Sequence, residues 1–422
     1  MPARVALAIT AALILPATLI AGPGNQLNPP PGAPQPTDTI KLNPQALTPP
    51  IVITEPGSYE LTGDIQAPKN DDAIVIQTSN VKLDLKGFRI RGQRNNPEST
   101  SGDGIRIVPP GAEQERANIR ICNGYITDFD DDGVDAQSAF TVTLEDLDIT
   151  ACGDDGVITG RHATIEDVRA RMNAGDGVVC GANSDLNRVT ATGNTGGDGI
   201  RTGSNSELDN CSASGNADNG IETGDGCTIR SSAASGNGSC GYNVGANTTI
   251  ASASSDDNDL DGYLCGAGAA LTTCTASNNF ARGFSLGAGS VITGSTANAN
   301  GFSGIFLGAG STADNCASSN NAGGIEADGS CLITNNNCTN NFSGIQAYGA
   351  HNRIDGNTCS NNSFGIQVKE AGNFIVRNAC GWNSQGDFDI APFNTHGEIV
   401  FSNGGQIMTT NPWANFAVLP QK

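Results

Sequence analysis

A glycine followed by an apolar residue recurs along the chain from residue 133 onward. The interval between successive glycines is 20 to 23 residues and is most often 21. A second apolar residue follows nine or ten positions after the glycine, and a small residue comes later, as Ile200, Leu208 and Ala213 illustrate. An interval this regular indicates a repeat architecture. The repeating glycines are Gly133, Gly156, Gly177, Gly199, Gly220, Gly241, Gly262, Gly283, Gly304, Gly324, Gly344 and Gly365.

The spacing inside each unit predicts short strands. Apolar and polar residues alternate over a few positions, which is the period of a β-strand, and no segment carries a long apolar stripe of helical period. We therefore predict three short strands per unit, joined by turns. One unit cannot bury its apolar face alone, whereas stacked units can, with like residues above like residues at ~4.8 Å.

Asparagine recurs four positions before the glycine. Its amide can hydrogen bond to both neighbours in a stacked ladder, and asparagine also tolerates a left-handed backbone. We predict a structural role for this file of residues. Its members are Asn173, Asn216, Asn237, Asn258, Asn279, Asn300, Asn320, Asn340 and Asn361.

The repeat frame resembles that of a known fold family. The frame has near 21 residues per coil and consists of a glycine, Ile or Val, a second glycine, Ile or Leu, Ala or Cys, and Asn. It is similar to the repeat of the pectate-lyase-like superfamily. The segments ITEPGSYELTGDI and AIVIQTSNVKLDLKGFRIRG resemble the opening coils of secreted bacterial β-helix repeat proteins, and NPWANF resembles their tail. The resemblance covers residues 51–416. It implies an all-β, right-handed parallel β-helix solenoid of ~21 residues per coil, capped at both ends.

The ends of the chain are expected to lie outside the solenoid. Arg4 precedes an apolar run, Val5 to Ile20, that is typical of a secretory signal, and a proline-rich segment follows it. Aromatic residues near the C-terminus are expected to cover the last coil: Phe388, Phe393, Phe401, Trp413 and Phe416. The predicted organisation is a signal peptide at 1–22, a linker at 23–50, an N-terminal cap at 51–72, the β-helix at 73–390 and a C-terminal cap at 391–422.

Composition narrows the range of partners. The chain has 43 acidic and 22 basic residues and a net charge of −21, which argues against nucleic acid and anionic lipid as ligands. No other apolar run approaches membrane-spanning length, so no membrane insertion of the mature chain is expected. A secreted or cell-envelope location, in the periplasm or outside the cell, follows from the signal-like segment.

The cysteines do not follow a disulfide pattern. The chain has 13, an odd number, in a sequence that is expected to be exported. Cys338, Cys359 and Cys380 take the inward position that Ala297 and Ser318 take in other units. Cysteines in one file point the same way, which is poor disulfide geometry, so we predict buried free thiols.

Carboxylates recur at one corner of the N-terminal coils. The residue before the glycine is Asp132, Asp155, Asp176 and Asp198 in consecutive units, and Asp131 and Asp154 lie beside the first two. Three interpretations stay open. The aspartates could be turn formers. Alternatively, Asp131, Asp132, Asp154, Asp155 and Asp176 could bind Ca²⁺, or Asp132, Asp155, Asp176 and Asp198 could be catalytic acids and bases toward a glycan.

Two functions follow from these patterns. The first is a secreted or envelope β-helix protein whose long face binds a polysaccharide, a cell-surface glycan or another surface component without turnover. The second is a carbohydrate-active enzyme, a polysaccharide lyase or glycoside hydrolase, that uses the acidic corner, with Arg106 and Arg201 as candidate cations. Ca²⁺ is the only cofactor expected. Few insertions interrupt the repeat after residue 133, which favours a bare prism and therefore binding.

Overall fold

The computed structural model describes residues 39–94, 101–109, 111, 114–402 and 406–418. The predicted signal peptide and most of the predicted linker lie outside these residues. Within them the chain forms strands and turns and no helix. The predicted all-β, right-handed parallel β-helix is confirmed, with about 17 turns of about 21 residues each.

One strand from each coil joins a 16-stranded parallel sheet. From Ile105–Ile107 to Phe364–Val368, each strand starts directly after a glycine or one residue before it, and the Ile, Val, Tyr or Phe that follows this glycine points into the core. They are Ile51–Ile53, Ile74–Ile76, Ile105–Ile107, Val134–Ala136, Val157–Thr159, Val178–Cys180, Ile200–Thr202, Ile221–Thr223, Tyr242–Val244, Tyr263–Cys265, Phe284–Leu286, Ser303–Leu307, Gly323–Ala327, Ser343–Ala347, Phe364–Val368 and Gly386–Ile390.

The other strands of each coil form a 32-stranded sheet that bends along its length. Two long strands, Arg116–Thr127 and Ala139–Thr150, run through the bend, whereas other coils divide there into two strands. The strands before the bend are Ile40–Leu42, Gly57–Leu61, Val81–Asp84, Thr164–Glu166, Asp185–Asn187, Glu207–Asp209, Thr228–Arg230, Thr249–Ala251, Ala270–Thr272, Val291–Thr293, Thr312–Asp314, Leu332–Thr334, Arg353–Asp355, Phe374–Val376 and Thr395–His396. The strands after it are Ile65–Gln66, Arg89–Arg91, Arg169–Arg171, Thr190–Thr192, Ser212–Ser214, Ala233–Ser235, Ser254–Asp256, Thr275–Ser277, Thr296–Asn298, Ala317–Ser319, Asn337–Thr339, Thr358–Ser360, Ala379–Gly381, Ile399–Ser402 and Asn415–Val418.

The register stacks like residues on like residues. Ile200 pairs with Ile221, and Leu208 pairs with Ile229 in the next coil. At the same core position, Tyr242, Tyr263 and Phe284 stack their rings with centroids 4.6 and 4.7 Å apart. These separations match the spacing of neighbouring strands, so the stacked rings fit the core without disturbing the coils.

The repeating glycine is required by close packing against the last strand of its own coil and the turn that follows that strand. A Cβ at Gly199 would lie 2.5 Å from the Nδ2 atom of Asn216 and 2.8 Å from the Cβ of Ala213. The asparagine is buried and its Nδ2 donates to the Oδ1 of Asn237 in the next coil, at 3.0 Å. A larger residue in place of the glycine would therefore displace the asparagine ladder.

The asparagine ladder departs from the predicted frame in the later coils. Asn320, Asn340 and Asn361 are not its members, because their backbones are left-handed and all three are exposed at the turn. The intervals between glycines shorten to 20 residues here, so the buried amide lies only three positions before the glycine. The ladder consists of Asn173, Asn194, Asn216, Asn237, Asn258, Asn279, Asn300, Asn321, Asn341, Asn362 and Asn383.

All 13 cysteines are free and buried, as predicted. Cys338, Cys359 and Cys380 lie above one another in register. Burial raises the pKa of Cys180 to about 12, which keeps its thiol protonated. A buried protonated thiol packs as a small apolar side chain.

The two ends differ from the predicted caps. Residues 51–66 already form strands in register with the next coil, as the pairing of Ile51 with Ile74 shows. At the other end Phe393 and Phe401 are 90% and 67% exposed, so these two rings do not cover the last coil. Trp413 instead packs edge-on against Phe374, at 6.2 Å between ring centroids. The domain boundaries themselves stay predictions.

Candidate functional site

The predicted carboxylates form one continuous file at the start of the 16-stranded sheet. In each coil the Oδ1 atom accepts the backbone N–H of the equivalent residue in the next coil, at 2.6 to 2.9 Å. The acidic file consists of Asp72, Asp103, Asp132, Asp155, Asp176 and Asp198, and the last of these accepts from Asn219. Asp72 and Asp103 thus extend the predicted set by two coils. The backbone contacts give the file a structural role that needs only one oxygen of each carboxylate.

Burial and mutual repulsion hold protons on this file. Burial raises the pKa of Asp132 to about 8, and the neighbouring charges of Asp103 and Asp155 add to the effect. Burial likewise raises the pKa of Asp103 to about 7, of Asp155 to about 6 and of Asp198 to about 7. Near neutral pH the file therefore carries fewer negative charges than its composition suggests.

Two arginines on the outward face of the sheet offset part of the remaining charge. Arg201 forms an ion pair with Asp176, at 2.5 Å between Nη2 and Oδ2. Arg106 lies 3.9 Å from Asp103 and 3.7 Å from Asp135. Both are candidate cations from the sequence, and the structure places both beside the acidic file.

Two overlapping groups of carboxylates could hold a cation. Asp103, Asp131 and Asp132 offer oxygens within 4.8 Å of one another, and so do Asp132, Asp154 and Asp155. The predicted metal ligands Asp131, Asp132, Asp154 and Asp155 are thus brought together. Asp176 belongs to neither group, and its carboxylate faces Arg201 instead.

A row of apolar side chains follows one turn of the C-terminal coils. Backbone hydrogen bonds place Leu260, Ala281, Phe302, Ala322, Phe342 and Phe364 one above another. Phe302 and Phe342 are 57% and 55% exposed, and Phe342 meets Phe364 edge-on at 5.8 Å between ring centroids. We call this set the aromatic row. Its signal in the sequence was the group of phenylalanines near the turns, but only the register shows that they share one file.

A model of the right-handed beta helix region matches residues 65–198 and 308–404, together more than half of the chain. The chain folds as a parallel β-solenoid. Because the family model matches more than half of it, the chain belongs to the right-handed β-helix family. A search of curated proteins found no match. No helix among the described residues is long and apolar enough to cross a membrane.

Solved structures that are similar to this chain come from a phage and from bacteria. The N-terminal fragment of bacteriophage Phi29 gene product 12 shares 14% identity, over 87% of this chain and 73% of that chain, at a TM-score of 0.50. The A-module of the Azotobacter vinelandii mannuronan C-5 epimerase AlgE4 shares 14% identity, over 79% and 88%, at 0.44. A double mutant of the periplasmic alginate epimerase AlgG shares 12%, over 79% and 83%, at 0.45. At 14% identity the Phi29 fragment shows a fold and no activity.

Proposed function

We propose that this protein binds an extended glycan along its C-terminal coils without cleaving it, as a secreted or cell-envelope protein. The aromatic row is the observation that carries the proposal. A contiguous exposed apolar patch on a protein surface marks an interaction site. Phe302 and Phe342 are exposed although Ala281 and Ala322 show that a small residue suffices at this turn.

The spacing of the row suits a polysaccharide. Alanine alternates with the exposed rings of Phe302 and Phe342, so these rings lie two coils apart, at about 9.6 Å along the axis. This spacing is close to the length of a disaccharide unit in an extended chain. Sugar rings present a face of C–H groups that packs on an aromatic ring, so successive rings could hold alternate sugars of one chain.

Polar groups for sugar hydroxyls lie beside the row on the 16-stranded sheet. The Arg282 guanidinium lies over the ring of Phe306, at 4.3 Å from its centroid. Gln346 points outward from the same sheet and is half-buried. An aromatic surface with a few oriented donors and acceptors is the usual composition of a ligand site.

Affinity electrophoresis tests the proposal. We expect retardation of the native protein in gels that contain xylan, glucomannan or hydroxyethylcellulose, and loss of retardation in the Phe302→Ser, Phe342→Ser double variant. Phe393→Ser is the matched control, because Phe393 is exposed but lies away from the row. Unretarded native protein, or retardation that survives the double substitution, would contradict the proposal. Release of reducing ends would show turnover instead of binding.

A second candidate is a carbohydrate-active enzyme, a lyase or hydrolase, that uses Asp132, Asp155, Asp176 and Asp198. The pKa of Asp132 is raised to about 8 and that of Asp155 to about 6, values that suit an acid and a base near neutral pH. If any glycan is cleaved, Asp132→Asn and Asp155→Asn should each abolish cleavage. Retained cleavage would leave the acidic file with its structural role alone.

We also propose that Ca²⁺ binds at the acidic file. Ca²⁺ takes oxygen ligands from several short elements, and the second oxygens of Asp132 and Asp155 are not used by the backbone contacts. Asp131 and Asp154 are exposed and add one carboxylate to each group. Binding would offset the repulsion within the file and so stabilise these coils.

A further inference from the structure

A polar groove lies at the bend of the 32-stranded sheet, on different coils and at a different corner from the aromatic row. Its volume is about 420 Å³, and its lining includes Tyr125, Asp146, Asp148 and Arg169. This volume falls in the range of small-molecule sites, roughly 300–1,000 Å³. The groove belongs to neither the acidic file nor the aromatic row.

The long strands create the groove. Register places Arg89, Tyr125, Asp148 and Arg169 in one outward row, on successive coils. Asp146 lies two residues before Asp148, and its backbone is left-handed, with a φ of 51°. The strand bends there, and the outward side chains on either side of the bend face a common space. Adjacent coils are ~4.8 Å apart, so the row spans roughly 14 Å.

The groove combines a ring with unused donors and acceptors. Tyr125 is 46% exposed, and the Arg89 guanidinium lies over it at 5.9 Å from the ring centroid, which steadies the ring. Within the described part of the chain, Asp146 has no hydrogen-bond partner for its carboxylate. Arg169 forms no close ion pair there, although its charge adds to the hydrogen bond from Arg188 in lowering the pKa of Asp167, which also lines the groove. By contrast, Asp148 is held by two hydrogen bonds from Arg171.

We propose that this groove binds a neutral hexopyranose unit of an oligosaccharide. The Tyr125 ring would pack against the C–H face of the sugar. The Asp146 carboxylate, which only accepts hydrogen bonds, would take two adjacent hydroxyls, and the Arg169 guanidinium would donate to a hydroxyl or ring oxygen. Two further carboxylates line the groove, but Asp148 is held by Arg171 and Asp167 by Arg188. The opposite charges of Asp146 and Arg169 therefore suit a neutral ligand with both donors and acceptors.

Titration calorimetry with cellotriose, maltotriose and mannotriose tests the proposal, with trigalacturonate as the charged comparison. We expect one of the neutral trisaccharides to bind. Tyr125→Ala should weaken that binding at least about tenfold, because the stacking surface is lost. Asp146→Asn should weaken it as well, and asparagine tolerates the left-handed backbone at this position.

Two controls separate this site from a general surface effect. Tyr348→Ala removes another exposed tyrosine, and Asp257→Asn changes another exposed left-handed aspartate, so both should bind like the native protein. Unchanged melting temperatures would show that Tyr125→Ala and Asp146→Asn still fold. The proposal fails if no neutral trisaccharide binds, if only trigalacturonate binds, or if binding survives both groove substitutions. None of these results bears on the aromatic row, which the Phe302 and Phe342 variants test separately.

Discussion

Replacing Asp132 with asparagine should stabilise the protein at pH 8 but not at pH 4. The Oδ1 of the asparagine can still accept the backbone N–H of Asp155, which lies 2.9 Å from that atom in the native protein. The substitution therefore keeps the contact between coils and removes one charge from the acidic file. Its effect on stability measures the cost of burying this charge and of placing it beside the neighbouring carboxylates.

The sign follows from the direction of the pKa shift. Folding raises the pKa of Asp132 from 3.8 to about 8, chiefly through burial, so ionisation of this group opposes folding. Below pH 4 the carboxyl is protonated in both states and has no effect. As the pH rises from about 4 to about 8 the native protein loses stability at this site, whereas the asparagine variant does not.

The magnitude can be bounded from the same shift. Each unit by which the folded-state pKa exceeds the unfolded value costs about 1.4 kcal/mol. Solvent reaches the partly buried Asp132, so we reduce the full shift and expect a gain of about 1–2 kcal/mol at pH 8.

Melting temperatures read by far-ultraviolet dichroism, at pH 4, 6 and 8 in a chelator, would check this expectation. Asp257→Asn is the control, because Asp257 is exposed and outside the acidic file. A variant that is less stable than the native protein at pH 8 would refute the reasoning. It would mean that the ionised carboxylate itself stabilises the coil.

Three further predictions concern the ladder, the thiols and the metal. Asn258→Ala should destabilise the protein by about 2–4 kcal/mol in urea unfolding, because the buried N–H donors of Asn237 lose their acceptor. The control Asn243→Ala, on the sheet surface, should have little effect. Thiol titration should find almost no reactive cysteine in the native protein and all 13 after denaturation without reductant; one thiol or none would favour disulfides. Ca²⁺ at a hundredfold excess over its dissociation constant should add about 2.7 kcal/mol of stability relative to chelator, and Asp131→Asn with Asp154→Asn should remove that gain. An unchanged melting temperature of the native protein with Ca²⁺ would refute the metal site.

The predicted acidic corner illustrates how far a repeat frame reaches. The frame placed Asp132, Asp155, Asp176 and Asp198 in one file, because residues at one frame position stack when coils stack. It did not show that Asp176 pairs with Arg201 while Asp132 and Asp155 lie close to neighbouring carboxylates. That distinction depends on the direction of an arginine side chain across neighbouring coils, which spacing along the chain does not encode.

The sequence by itself determined the fold, the coil length and the inward positions, including those of the cysteines. It could do so because each unit repeats the same local pattern and the core needs only like residues in register. Tertiary structure decided what the pattern leaves open. Because one turn is a residue shorter, the asparagine ladder includes Asn321 and not the predicted Asn320. Phe393 is exposed and therefore does not belong to the predicted cap. The groove at Tyr125 arises where two long strands bend together. Its side chains come from several coils, so the pattern of a single repeat does not show it.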